Sequence, residues 1–200
     1  MTDAYADAAT YRAVVDKSDT GADAAILTDL TAISRYIDAK LGRFFTKDAV
    51  AVARVYPAED VWRTLYVDDL VSVTSIKIDD NASGIFTDDT ALGPLDYELL
   101  PRNAPSGPEP RPYTAIEMTF YGTRYSFPGN TRVQVTGIWG WPAVPAAIAR
   151  ACCHLTGILR LETPRAQATV SEIGQVVQAS WQARNIIESL ITEYGKKVLI

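Results

Sequence analysis

The chain has 200 residues, of which 48% are hydrophobic and 22% are charged, so it can form a globular core without disulfides or metals. Nineteen Lys and Arg against 24 Asp and Glu give a formal net charge of −5, with no basic run. This argues against a dedicated DNA-binding protein, which needs clustered positive charge. It leaves open a protein that lines a path for DNA without binding it tightly.

Membrane insertion and secretion are not indicated. No stretch approaches the roughly 20 apolar residues that span a bilayer. The first residues are acidic and lack the basic patch and apolar run of a signal peptide. We therefore expect the chain to stay in the cytosol where it is made.

The first predicted elements are helices, within residues 1–47. A short helix is predicted from about Ala6 to Val15. A longer one is predicted from Asp23 to Phe45, with Thr20 or Asp23 as its cap and Gly42 near its end. Steps of three and four place its apolar residues on one face, namely Leu27, Leu30, Ile33, Ile37, Leu41 and Phe44.

Residues 48–140 are predicted to form an inserted antiparallel β region. Its candidate strands are rich in β-branched and aromatic residues, and they are Val50–Tyr56, Val61–Val67, Val71–Ile78, Ile116–Tyr121 and Arg132–Trp139. Apolar residues alternate with polar ones from Thr74 to Ile78 and from Ile116 to Phe120, as in half-buried strands. Turn-forming residues separate the strands at 57–60, 79–84 and 126–130, and five prolines between Pro101 and Pro112 predict an exposed loop.

Helical spacing returns in residues 141–164, which are predicted to complete the helical core. Pro145 suits a helix N-terminus, and Pro164 follows its end. One face carries Ile148, Cys152, Leu155 and Leu159, with Ala151 and Ile158 beside it. Residues 165–200 are predicted to be a mobile, extended tail, polar and without periodicity to Ala179, then a short helix with Ile187, Leu190, Ile191, Tyr194 and Val198. The predicted fold class is α+β.

The helix around His154 holds the first candidates for chemistry. His154 is the only histidine, and its helical neighbours could not complete a triad or a metal site, so a surface or interface histidine is favoured. Cys152 and Cys153 are adjacent, a spacing that disfavours both a mutual disulfide and zinc binding. Both thiols fit a reducing compartment.

Acidic pairs and glycines are the remaining candidates. The pairs Asp68-Asp69, Asp79-Asp80 and Asp88-Asp89 suggest cation or glycosidase carboxylates, but they lack EF-hand spacing, and the last two lie in turn-like sequence. Gly137 and Gly140 lack the spacing of a phosphate-binding loop. We therefore predict no catalytic, cofactor-binding or metal-binding residue. Trp139 and Trp141 fit either a core lid or an interface anchor.

Several segments together resemble the phage head–tail connector (adaptor) proteins of long-tailed bacteriophages. The run VQVTGIWGWPAVPAAIARA over residues 133–151 resembles a strand of the form V-x-V-x-G-x-W-G that is followed by proline and an Ala-rich helix. RYIDAKLGRFF over residues 35–45 is similar to the family's first major helix. LYVDDLVSVTSIKID over residues 65–79 is similar to its following hairpin, and DYELLPRN over residues 96–103 to the next strand. The resemblance covers about Asp23 to Leu161.

This resemblance implies a non-enzymatic virion protein at the head–tail interface, made in the host cytoplasm. Such proteins assemble as rings, usually dodecameric, under the portal protein, extend the DNA channel and dock the stopper or tail-completion protein. DNA passes through without sequence-specific binding, and no cofactor is implied. The alternatives are another head-completion, stopper or tail-terminator protein, or a hydrolase that uses the Asp pairs or Cys152 with His154.

Overall fold

The computed structural model describes residues 4–15, 23–58, 62–87, 89, 91–129, 131–162 and 170–196. The chain forms two compact units. Unit 1 combines Met1–Phe45 with Val144–Ile200, and unit 2 is Thr46–Ala143. The described part of unit 1 folds into α-helices, and that of unit 2 into an antiparallel sheet. The chain is therefore an α+β protein, as the sequence predicts.

The first two helices of unit 1 are α1, Ala8–Val15, and α2, Asp23–Leu41. Gly42 ends α2 with a φ of +64°, a backbone conformation that glycine adopts without steric cost. Of the predicted apolar face, Leu30, Ile33, Ile37 and Leu41 are buried. The prediction is wrong for Phe44, which lies beyond the end of α2 and is 61% exposed, while Leu27 is only half-buried.

Three further helices follow the β unit: α3, Ala146–Glu162; α4, Val170–Ala179; and α5, Trp181–Tyr194. α3 begins directly after Pro145, and its predicted face is buried at Ile148, Cys152, Leu155 and Leu159. It packs against the other four helices. No helix of the described residues is long and apolar enough to cross a bilayer.

The polar stretch 165–179 is not without regular structure, because α4 occupies its last ten residues. Ile173 and Val177, four residues apart, are buried and supply the apolar face. Gly174 and the neighbouring glutamines obscure that spacing in the sequence. Residues 163–169 and 197–200 lie outside the described part, and the mobility of the tail stays a prediction.

Unit 2 contains the strands β1, Val52–Pro57; β2, Thr64–Ile78; β3, Tyr97–Leu100; β4, Tyr113–Met118; and β5, Arg132–Trp139. They form one sheet in the order β1-β5-β2-β4-β3, and every neighbouring pair is antiparallel. The range of β5 agrees with the prediction.

The predicted hairpin within residues 65–79 is wrong, because β2 runs unbroken for 15 residues. Its first part pairs with β4 and its second part with β5, with register shifts between them. Asp68 and Asp69 lie between the predicted strands Val61–Val67 and Val71–Ile78, but both carboxylates have partners within unit 2. Asp68 accepts a hydrogen bond from Arg54 at 3.0 Å, and Asp69 accepts one from Trp141 at 3.1 Å.

One face of the sheet is buried by a core that includes Leu65, Leu70, Ile76, Ile116, Val133, Val135 and Trp139. Trp139 and Trp141 are both buried. Their indole N–H groups donate to Val52 O at 2.7 Å and to Asp69 Oδ2. A buried indole needs such a partner, so both side chains serve as core residues within this chain.

The Pro-rich loop between β3 and β4 is mostly exposed and contains one short 3-10 helix, Ala104–Ser106. β4 begins earlier and ends earlier than predicted. Phe120 continues the alternation of Ile116 and Met118 in the sequence, yet it lies beyond the end of the strand. The chain turns away there, and the Phe120 side chain is left in solvent.

Candidate interaction surfaces

The candidate nucleophiles on α3 are built into the packing of unit 1. Cys152 and Cys153 are both fully buried, and Cys152 Sγ lies 3.4 Å from Ser34 Oγ. Burial raises the pKa of the Cys152 thiol to about 12 and that of Cys153 to about 11, so both are protonated near neutral pH. His154 is half-buried, and its Nε2 accepts a hydrogen bond at 3.5 Å from Arg150, one turn earlier. Two residues apart on a helix, Cys152 and His154 point to different faces.

The first acidic pair is structural. Asp68 Oδ2 accepts hydrogen bonds from Arg54 and from the Tyr56 hydroxyl at 3.1 Å. The Arg54 guanidinium also lies 4.5 Å from the centre of the Trp139 ring, a cation–π contact. Asp68 of β2 is therefore paired with two side chains of β1, and its charge stabilises the sheet.

The second acidic pair forms a turn, as predicted. Asp79 is buried, and its carboxylate accepts the N–H groups of Ser83 and Gly84, both at 2.9 Å. The more exposed Asp80 makes a two-point ion pair with Arg124. Asp88 of the third pair lies outside the described residues. Among the residues that are described, no three His, Cys, Asp or Glu side chains come together as metal ligands, and the expectation of no catalytic or ligand-binding residue stays a prediction.

Asp96, which sequence reasoning did not single out, organises the loops at the start of β3. Its carboxylate accepts the N–H of Gly93 at 2.6 Å, and the N–H and hydroxyl of Thr123 at 2.6 and 3.0 Å. Burial alone favours the protonated acid, but these hydrogen bonds, with a further one from the Arg124 backbone, outweigh it and lower the pKa of Asp96. The carboxylate therefore holds two loops in fixed positions.

Large exposed apolar side chains gather where β4 ends. We call this surface the aromatic end of the sheet, and it consists of Trp62, Leu95, Phe120, Tyr121 and Tyr125, which are 70%, 69%, 69%, 86% and 62% exposed. The Arg63 guanidinium stacks 3.9 Å from the centre of the Phe120 ring. Aromatic and arginine side chains dominate the energetics of protein interfaces, whereas monomeric surfaces rarely expose them together.

Backbone hydrogen bonds hold the segments of the aromatic end together. The Met118 N–H donates to Arg63 O and the Phe127 N–H donates to Trp62 O, both at 2.8 Å. The Thr119 N–H donates to Asp96 O at 2.9 Å, next to Leu95. The start of β2, the start of β3 and the end of β4 therefore meet at one place, and the exposure of their side chains is a property of a fixed surface.

Comparison with known proteins gives a fold relationship. No family model matches the chain, and no curated protein does. Among solved structures, it is similar to a chain in the neck of an empty gene transfer agent particle, determined with C6 symmetry. The identity is 19% over 96% of this chain and 90% of that one, with a TM-score of 0.54. A chain in the neck of the native particle, determined with C12 symmetry, matches at 20% identity over 96% and 89%, with a TM-score of 0.51.

The chain has the fold of these neck chains. At such identities the likeness establishes fold alone, but it extends over nearly the whole length, so the helices of unit 1 and the sheet of unit 2 both belong to the shared fold. The described carboxylates Asp68, Asp79 and Asp80 and the α3 thiols are engaged in packing and hydrogen bonds, whereas the aromatic end has the side chains of an interface. The geometry therefore favours binding to other proteins.

Proposed function

We propose that this chain is a non-enzymatic structural subunit of the neck of a phage-like particle, a head–tail connector or adaptor. The observation that carries the proposal is the fold shared with gene transfer agent neck chains over 96% of the sequence. The resemblance of residues 23–161 to head–tail connector proteins supports it independently, because it rests on sequence segments rather than on the fold.

In the finer form of the proposal, the subunit forms a ring under the portal, extends the DNA channel and docks the stopper or tail-completion protein. The two neck structures were determined with sixfold and twelvefold symmetry, which supports a ring and, for this family, a dodecamer. The net charge of −5 suits a wall along which DNA slides, because like charge prevents tight binding to phosphates. We assign unit 2, with the Pro-rich loop 101–112, the role of a domain inserted into the helical core.

The aromatic end of the sheet is the surface that we assign to the next protein of the neck. Trp62 and Tyr121 are the proposed anchors, because they have the largest exposed fractions on this surface and each combines an aromatic ring with a polar group for hydrogen bonding. Arg63 beside them is ion-paired with Glu117 at 3.3 Å, so the surface adds no large unpaired charge that docking would have to bury.

The runner-up function is another head-completion protein, a stopper or a tail terminator. We expect such proteins to be richer in β-structure and to lack two long helices flanking the sheet in sequence. The 19-residue α2 and the 17-residue α3 lie before and after the sheet here, which favours the connector. A hydrolase built on Cys152 and His154 is disfavoured, because a buried thiol with a raised pKa is a poor nucleophile.

Electron microscopy of the purified chain mixed with the purified portal of its own particle tests the proposal. We expect a ring of added density on one face of the portal. In hydrogen exchange, we expect slower exchange in the loop 101–112 and in the residues after 164.

Trp62→Ser and Tyr121→Ser should still form the ring but lose docking of the next neck protein, whereas Trp181→Ser, an equal change at an exposed tryptophan of α5, should keep it. No added density and no change in exchange would overturn the proposed function.

A further inference from the structure

The two outer strands of the sheet in unit 2 each have one edge without a neighbour. The strand order begins with β1 and ends with β3, and within the described part of the chain no strand pairs with the outer edge of either. An outer strand presents unpaired N–H and C=O groups, which form a template for a strand from another chain.

On β1, the hydrogen-bond pattern fixes which backbone groups point outward. The Ala58 N–H donates to Thr131 O at 2.8 Å, next to the pair Pro57 and Arg132, and the register with β5 has no shift. Because backbone groups alternate in an antiparallel pair, the even-numbered residues of β1 face β5. Ala53 and Val55 therefore direct their N–H and C=O groups outward.

On β3, too, the hydrogen bonds fix which backbone groups point outward. The Thr119 N–H donates to Asp96 O, and the register with β4 continues from there to Leu100. The even-numbered residues therefore face β4, and Tyr97 and Leu99 point their backbone groups outward. The Met118 N–H on the other side of β4 donates to Arg63 O, which agrees with this alternation.

β1 also lacks the features that usually protect an edge. It contains no lysine, no bulge interrupts its pairing with β5, and its one proline is the last residue. Its one charged side chain, Arg54, is turned to Asp68 and Trp139. Val50, Val52 and Val55 in and beside the strand are 67%, 41% and 49% exposed. An apolar, unprotected edge of this kind is typical of a strand that acquires a neighbour.

We propose that the outer edge of β1 pairs with the outer edge of β3 of a second copy of this chain. This inference rests on the ring of the proposed function. Adjacent copies in a ring meet through two different surfaces, head to tail, because a surface that pairs with itself closes a dimer instead. The chain offers two different strand edges, the outer edges of β1 and β3. Each has two residues whose backbone N–H and C=O groups point outward. Their pairing joins the sheets of successive copies and covers the exposed valines.

Cysteine cross-linking distinguishes this contact from its alternatives. The native thiols at 152 and 153 are fully buried, so wild-type protein gives a low background. The double variant Val55→Cys with Glu98→Cys places both thiols on the solvent-exposed face of the sheet, because the partners of these residues, Gln134 and Glu117, lie on that face. Treated with a short bis-maleimide in the presence of portal, it should give a ladder of dimers, trimers and higher species. A mixture of the two single variants should stop at dimers. Covalent dimers from Val55→Cys alone would show β1 pairing with itself and would overturn the proposal.

Edge-blocking variants supply a second measurement. Ala53→Pro removes an outward N–H that the sheet does not use, and Val55→Lys places a charge on the edge. Both should fold, as judged by circular dichroism and thermal unfolding, but form rings more than about tenfold less readily, a change of ~1.4 kcal/mol. Ile85→Lys, the same change at an exposed loop residue, is the matched control. If both blocked variants form rings as wild type does, the edge contact is wrong while the neck function stands. If wild type forms no ring and does not bind portal, the proposed function itself fails.

Discussion

The hydroxyl of Tyr5 provides the sharpest test of how the N-terminal segment is held in unit 1. It donates a hydrogen bond to Asp38 Oδ1 and accepts one from the Phe45 N–H at 3.0 Å, and the ring is buried. Burial, reinforced by the neighbouring Asp38 carboxylate, raises the pKa of Tyr5 far above its ordinary value, so the hydroxyl stays protonated at every usable pH. It is therefore a permanent donor to a carboxylate.

The substitution Tyr5→Phe removes this hydroxyl and keeps the ring with its edge-to-face packing on Phe45. A hydrogen bond to a charged group contributes roughly 1.5–3 kcal/mol, and the Phe45 amide loses an acceptor as well. We therefore expect the free energy of unfolding to fall by about 2–3 kcal/mol. Because Tyr5 stays protonated, the loss should be the same at neutral and at mildly alkaline pH.

Urea unfolding followed by helix ellipticity measures this loss, since Tyr5 belongs to the helical unit. Tyr125→Phe removes the hydroxyl of an exposed tyrosine and should change stability by less than about 0.5 kcal/mol. In a double-mutant cycle, Tyr5→Phe and Asp38→Asn should not be additive, because the two groups contact each other. A loss below about 0.5 kcal/mol for Tyr5→Phe, or strict additivity with Asp38→Asn, would refute the reasoning.

Three further predictions concern unit 2. Asp79→Ala should lower the free energy of unfolding in urea by about 2 kcal/mol, because two N–H groups of the turn lose their acceptor. Asp80→Ala should lower it by less than about 1 kcal/mol, because Asp80 makes only an exposed ion pair with Arg124, and equal losses for the two variants would contradict this reasoning. The folded pKa of Asp96 is lowered, so its contribution to stability is full above the ordinary value of 3.8 and is lost as the pH falls through the lower folded value. The difference in unfolding free energy between wild type and Asp96→Asn should therefore shrink below about pH 4, and a constant difference would count against it. Gly140→Ala should destabilise by at least about 2 kcal/mol, because φ is +100° and the added Cβ would lie 2.0 Å from a backbone oxygen; Gly129→Ala, which meets nothing within 4 Å, should be nearly neutral.

Elements with a repeated pattern were predictable from the sequence. The spacing of Ile148, Cys152, Leu155 and Leu159 predicts the buried face of α3, and Pro145 predicts where the helix begins. Both the location of α3 and its buried face could therefore be predicted. β5 was equally clear, because Val133, Val135 and Trp139 alternate over a whole strand. In both cases local spacing and tertiary burial agree, and no distant contact is needed to decide the outcome.

The errors arose where a distant partner overrides the local pattern. Asp68 and Asp69 interrupt an apolar run and lie between two strands that were predicted separately. Their partners are Arg54 of β1 and Trp141, which follows the end of β5, and β2 continues through both residues. Nothing in residues 65–79 indicates those partners. In α4, the buried residues among those described are Ile173 and Val177, and two residues make a weak periodic signal.

The aromatic end was missed for a related reason. Alternation through Ile116, Met118 and Phe120 cannot show where a strand stops, so Phe120 was expected to lie on the apolar face of a half-buried strand. A usable signal was nevertheless present, because Phe120, Tyr121 and Tyr125 crowd a short segment around Gly122 that is too rich in turn residues to continue a strand. Aromatic density within a turn indicates an interface more than a core.

The division of unit 1 between the two ends of the chain has a consequence for synthesis on the ribosome. α2 emerges early, with Leu30, Ile33 and Ile37 ready for burial, but α3, against which it packs, follows about a hundred residues later. At a translation rate of ~5–20 residues per second, synthesis of these residues takes roughly 5–20 s. During that time the β unit can finish folding, while the apolar face of α2 lacks its main partner. A nascent chain stalled just after residue 143 should therefore be the form of this protein most prone to aggregate and most readily bound by chaperones.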